Sequence, residues 1–221
     1  MIMPAFKTLR TTLLAIVIGL ASLQGVASEG DSAAAAASLA ELQQRWAEIN
    51  YTLPPGEQAA AFSRLGDQAE QLVERYPDAA ELHIWVGIIR STEAGASGGL
   101  GALGLVKQAK KELETALELN PLALDGSAYT SLGALYYQVP GWPLGFGDEQ
   151  KAEWHLQRAL AINPEGIDSL YFWGDYLHEQ GRDAEARQAL ERALMAAPRL
   201  GRELADSGRR DDIRQLMSEL Q

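Results

Sequence analysis

Residues 167–198, IDSLYFWGDYLHEQGRDAEARQALERALMAAP, decide the fold of this 221-residue chain. Leu170, Trp173, Gly174 and Leu177 recur at i, i+3, i+4 and i+7, the spacing of one helical face. Gly181 marks a turn, Ala186, Leu190 and Ala193 line a second helix, and Pro198 stops it. Gly174 and Ala186 are small, as two helices crossing at close range require, with Trp173 and Leu190 filling the space beside them. The stretch predicts an antiparallel helix pair.

The same ending appears twice upstream: LETALELNP closes at Pro121 and LQRALAINP at Pro164, so the three prolines lie 43 and 34 residues apart. The middle unit keeps Leu132, Gly133, Tyr136, Ala152, Leu156 and Ala159, and the unit before it keeps Val86, Gly87, Ala109, Leu113 and Ala116. The interval from glycine to first alanine is 12 residues in the last unit, 19 in the middle one and 22 in the first. Both extra segments therefore fall at the turn inside the pair. They are seven residues in VPGWPLGFGD (139–148) and ten around SGGLGALGL (97–105). Units stacked in register would place these enlarged turns side by side on one edge.

A 34-residue helix-turn-helix unit with these small residues and this terminal proline resembles the tetratricopeptide repeat (TPR) family. The resemblance implies an all-α fold, a TPR-like α-solenoid of antiparallel helix pairs with about nine helices. The repeat domain would span 37–198, opened by a degenerate pair around TLPPG (52–56). Residues 199–221 would hold a capping helix, with Ile213, Leu216, Met217 and Leu220 on one face to cover the last repeat.

The family's concave positions, carried onto this chain, are Glu81, Ile84, Ile88 and Ser91; Ser127, Thr130, Ala134 and Tyr137; and Asp168, Tyr171, Asp175 and His178. Candidate partner-binding residues among them are Ile84, Ile88, Thr130, Tyr137, Tyr171, Asp175 and His178. The resemblance implies an adaptor or scaffold for a protein or peptide, not an enzyme. Lys and Asn, with which some members hold terminal carboxylates, are absent from these positions, so an apolar or cationic segment is the expected partner. The bland alternative is a groove filled by the chain's own terminal helices. The layout is also similar to the periplasmic TPR component of tripartite ATP-independent transporters, which implies a small-molecule-binding accessory as the second reading.

In the 139–148 loop, Pro140 ends a helix, Pro143 holds Trp142 extended, Gly145 and Gly147 permit positive φ, and Asp148 is placed to cap the next helix. Trp142 and Phe146 either present themselves to a partner or fold back onto Leu100, Leu103 and the helix ends. Large rings in a constrained loop normally bury, which favours the second.

Residues 1–27 carry Lys7 and Arg10, an apolar run from Leu13 to Ala21, and small residues before a cleavage point after Ala27, the pattern of a secretory signal peptide. Export to the periplasm is expected, with no stable membrane insertion once the leader is removed. An uncleaved N-terminal anchor is the alternative, but nine apolar residues fall short of the roughly 20 that span a bilayer. Residues 28–36 are small and polar enough to be mobile.

The net charge is -11, and loss of Lys7 and Arg10 makes it more acidic, which disfavours nucleic acid as a partner. The chain has no cysteine, hence neither disulfide nor thiolate chemistry.

Nothing in the sequence argues for a catalytic residue, a cofactor or a metal. Gly99, Gly101 and Gly104 match G-x-G-x-x-G, but a helix precedes them where dinucleotide binding needs a strand. Turn formation and close helix contact explain them better. His83 falls at a packing position, His178 on the concave side, and neither they nor His155 have metal-ligand spacing.

Overall fold

The computed structural model describes residues 18–220 and divides into two compact units, Met1–Ala34 and Ala35–Gln221. Of the expected leader, residues 1–17 lie outside the described residues. Among those described there are nine α-helices and no strand: α1 (Ile18–Thr52), α2 (Pro55–Arg75), α3 (Ala80–Ser97), α4 (Gly99–Leu119), α5 (Ser127–Gln138), α6 (Glu149–Ile162), α7 (Ile167–Glu179), α8 (Asp183–Leu194) and α9 (Glu203–Glu219). None of the described helices is long and apolar enough to cross a membrane. Residues 28–36 continue α1, whose five alanines from Ala33 to Ala37 are the strongest helix formers.

Within the second unit, α3 pairs with α4, α5 with α6, and α7 with α8, while α5 also touches α3 on one side and α7 on the other as an inner layer. One contact recurs in each pair. A Cβ added to Gly87 would come within 2.6 Å of Leu113, one on Gly133 within 2.6 Å of Leu156, and one on Gly174 within 2.8 Å of Leu190. Those leucines and the facing Ala109, Ala152 and Ala186 are fully buried. Glycine is needed here because the helices approach too closely for any side chain. Trp173, expected to fill the crossing, is instead half-buried and stacks on Tyr176 at 5.6 Å.

The ten-residue extension between Gly87 and Ala109 is not a loop. It lengthens α3 to 18 residues and α4 to 21, against 13 and 12 in α7 and α8, and the turn shrinks to Gly98 and Gly99 at φ 60° and 67°. The segment is rich in alanine and leucine, so helix propagates from both sides to the one point where only glycine adopts the backbone cheaply. Gly101 and Gly104 sit in the opening turns of α4 with open space around them, not at a close helix contact.

The seven-residue extension does remain a loop. Asp148 caps α6, its Oδ1 accepting from the Lys151 N–H at 3.1 Å. Gly145 and Gly147 do not take the positive φ expected of them. They are glycines because a Cβ would strike the Pro140 and Val139 carbonyl oxygens as the loop folds against the end of α5.

α9 covers the last pair as predicted: Ile213, Leu216 and Leu220 are buried against Leu170, Leu190 and Ala193, with Met217 at the edge. At the other end, α2 is bound to α3 through Arg90, whose guanidinium is enclosed by Asp67, Glu70 and Glu93 at 2.5–2.7 Å.

Candidate binding chamber

The two ends of the stack meet. Tyr51, near the end of α1, donates its hydroxyl hydrogen to Asp212 Oδ2 of α9 at 3.2 Å, and its ring lies against Gly208, where any Cβ would strike it. The inner faces of α3, α5 and α7 are thereby bounded by α1 on one side and α9 on the other. They enclose a chamber of about 570 Å³, partly open to solvent.

One wall is apolar. Trp46 and Trp85 meet edge to face at 5.9 Å, and Ile88, Leu135 and Phe172 continue the surface. α3 also supplies Ser91, Thr92, Gly95 and Ala96 to the wall, the last two from its lengthened end. Trp46 donates its Nε1–H to Thr92 Oγ1 at 3.0 Å, whereas the Trp85 Nε1–H is buried with no acceptor.

The lining also carries charge, against these same rings. Asp168, at the start of α7, accepts from Arg199 Nη1 at 2.7 Å and from Arg209 Nε at 2.9 Å. Burial alone would raise the Asp168 carboxyl, but the two guanidiniums outweigh it and hold the pKa at about 2. Asp206, itself buried, fixes Arg199 through its side chain and backbone N–H, both at 2.8 Å. Arg209 lies over Tyr171 at 4.3 Å, and burial pushes the Tyr171 hydroxyl up to about 12. Arg202 has no such carboxylate. Its guanidinium lies over the Trp85 ring at 5.1 Å, its Nε is buried without an acceptor, and burial together with Arg199 lowers its pKa.

The concave positions carried over from the repeat pattern divide into two groups. Ile88 and Thr130 line the chamber, as do Ser91, Ser127, Ala134 and Asp168. Ile84 is fully buried in the core. Tyr137 and Asp175 are spent on each other, the hydroxyl donating to Asp175 Oδ2 at 2.5 Å. Tyr171 is covered by Arg209. His178 does not face the concave side: its Nδ1 lies 2.7 Å from Asp183 Oδ1 across the α7–α8 turn, and that hydrogen bond raises its pKa.

Of the acids that suggested a cationic partner, Asp168 is charge-paired with two arginines, while Asp175 accepts from the Tyr137 hydroxyl and keeps its charge. His83 is a satisfied core histidine, between Glu112 Oε2 at 2.7 Å and the Pro77 carbonyl at 2.9 Å. No group of acids and histidines among the described residues could hold a metal ion.

The two loop rings also part company. Phe146 folds back, edge-on to Tyr136 at 5.7 Å and beside Lys110 of α4 at 5.9 Å. Trp142 does not bury: it is 91% exposed, with Leu144 exposed beside it. The expectation that both rings pack therefore holds for Phe146 and not for Trp142.

Sequence reasoning missed Trp46, Trp85, Arg199, Arg202 and Arg209. The arginines were legible as a basic cluster in RLGRELADSGRR, but assigning that stretch to a cap alone hid their inward face.

No family model matches the chain, and no curated protein does. Among solved structures, the crystal structure of TTC0263, a thermophilic TPR protein in Thermus thermophilus, resembles it with a TM-score of 0.53 and 20% identity. That likeness covers 89% of this chain and 96% of the other. The crystal structure of MamA is less similar, with a TM-score of 0.43 and 18% identity over 76% of this chain and 93% of that one. The fold is a TPR-like α-solenoid.

Proposed function

We propose that this chain is an exported helical-repeat binding protein that takes a short segment of a protein or peptide partner into the chamber between α1 and α9. It would act by shape and side-chain complementarity, without a cofactor. The observation that carries this reading is the closure of the stack by Tyr51 and Asp212, which turns an open concave face into a walled site with an aromatic side. Trp142 and Leu144, exposed on a loop held by Pro and Gly, supply a second contact surface for a docked partner. Export rests on the leader pattern of residues 1–27.

Filling the chamber tests the reading. Ala134→Trp, checked for an unchanged helical spectrum, should abolish binding of peptides selected against the native protein. Full binding by that variant would show that the chamber is not the site.

A second reading, a small-molecule-binding accessory, is favoured by the chamber volume, which falls within the roughly 300–1,000 Å³ typical of small-ligand sites. A large thermal stabilisation by one small compound, with no peptide selected, would put this reading first.

A further inference from the structure

Two hydrogen-bond donors in the chamber have nothing to donate to. Trp85 is only 3% exposed and its Nε1–H has no acceptor, and the Nε–H of Arg202, stacked on that same ring, has none either. A buried donor left without an acceptor is costly, more so on a charged group, so two on one stacked pair are unusual in a settled interior. Every comparable group nearby is satisfied. Trp46 has Thr92, Arg199 has Asp168 and Asp206, and Arg209 has Asp168 and Asp212.

The charge of the lining points the same way. Arg199, Arg202 and Arg209 all line the chamber inside a chain whose net charge is -11, and Arg199 and Arg209 are matched by Asp168, Asp206 and Asp212. Asp125 is exposed and Asp168 is already doubly paired, so Arg202 makes no ion pair among the described residues and feels Asp168 and Asp206 only at longer range.

We propose that the chamber binds a carboxylate carried on an apolar body, the carboxylate oxygens accepting from Arg202 and from the Trp85 indole N–H while the body lies along Trp46, Ile88 and Phe172. This rests on reading the chamber as the binding site. A guanidinium presents a planar fork matched to a carboxylate, and two neutral or cationic donors on one side select an acceptor-only group. The same chemistry is offered by a free organic acid and by a peptide C-terminus.

The test uses the full chain and calorimetric titration with hexanoate, 3-phenylpropionate and its neutral amide, and the tripeptide Ala-Ala-Phe with a free or amidated end. At least one acid should bind about tenfold or more tighter than its neutral counterpart, the ratio expected for a charge-assisted pair. Arg202→Gln should erase that ratio without weakening the neutral compound, and Arg202→Lys should restore part of it. The indole N–H resonance missing in Trp85→Phe should move on addition of the acid. Preference for hexanoate or 3-phenylpropionate over the free tripeptide identifies a small acid as the source, and the reverse identifies a peptide end.

Equal binding of acid and amide, or an acid preference that survives Arg202→Gln, overturns the carboxylate assignment. If those probes still lose all binding in Ala134→Trp, the chamber reading stands and only the head group is wrong. If no acid binds, the assignment falls, and peptide binding by Ala134→Trp then decides the chamber reading separately.

Discussion

The glycines separate by what surrounds them. Gly133→Ala places a methyl group about 2.6 Å from Leu156, and should cost roughly 1–3 kcal/mol of stability through overpacking. Gly101, helical with nothing within 4 Å, should give the opposite sign: Gly101→Ala gains about 0.5–1 kcal/mol. Urea unfolding of the two variants checks both, and equal shifts would deny the close approach. Arg90, 6% exposed at its side chain among three carboxylates, is the other demanding position. Removing it as Arg90→Met should cost roughly 3–5 kcal/mol by leaving Glu93 buried and unpaired. By contrast Trp142→Ala, at an exposed ring, should move stability by less than about 0.5 kcal/mol.

At the scale of the element, α5 and α6 frame His155. Its ring stacks on Tyr136 at 5.3 Å and meets Trp154 and Tyr129, while Lys110, Lys151 and Glu114 are the charges that act on it. Burial pushes the His155 imidazole from 6.5 down to about 4. Between those values the unfolded chain holds a proton that the folded chain refuses, so stability falls as pH drops from about 6.5 to 4 and levels off below. The loss should be on the order of 1–3 kcal/mol, allowing for partial exposure, and His155→Phe should flatten that part of a pH series of unfolding midpoints. Asp168 acts in a different window: its depressed pKa contributes stability above about pH 4 that is lost toward pH 2.

The helix pairs themselves were legible in sequence because each rests on local signals: a glycine, an alanine a fixed distance on, and a proline at the end. The fate of the two extensions was not. Both carry several glycines, yet SGGLGALGL is helical on either side of a single bend while VPGWPLGFGD stays irregular, because proline removes donors where alanine and leucine propagate the helix.

On the scale of the whole repeat unit, the chamber was the least legible feature. Its closing bond joins residues 161 positions apart, and no spacing rule connects Tyr51 to Asp212. Concave positions taken from the repeat pattern found Ile88, Thr130 and Asp168 because α3, α5 and α7 follow the family geometry. They could not find Trp46, Arg202 or Arg209, which come from the terminal segments. The closure is also testable. Ile213→Ala, a fully buried site under α9, should cost roughly 2–5 kcal/mol, and looser seating of that helix should expose the Tyr51 hydroxyl to faster hydrogen exchange.

Open solenoids can gain or lose a unit and merely become longer or shorter. Here the first and last helices clasp, so Gly208 must stay beneath the Tyr51 ring. Duplicating any one pair would carry Gly208 and Asp212 away from Tyr51, so the clasp ties the number of pairs lying between those residues to a single value.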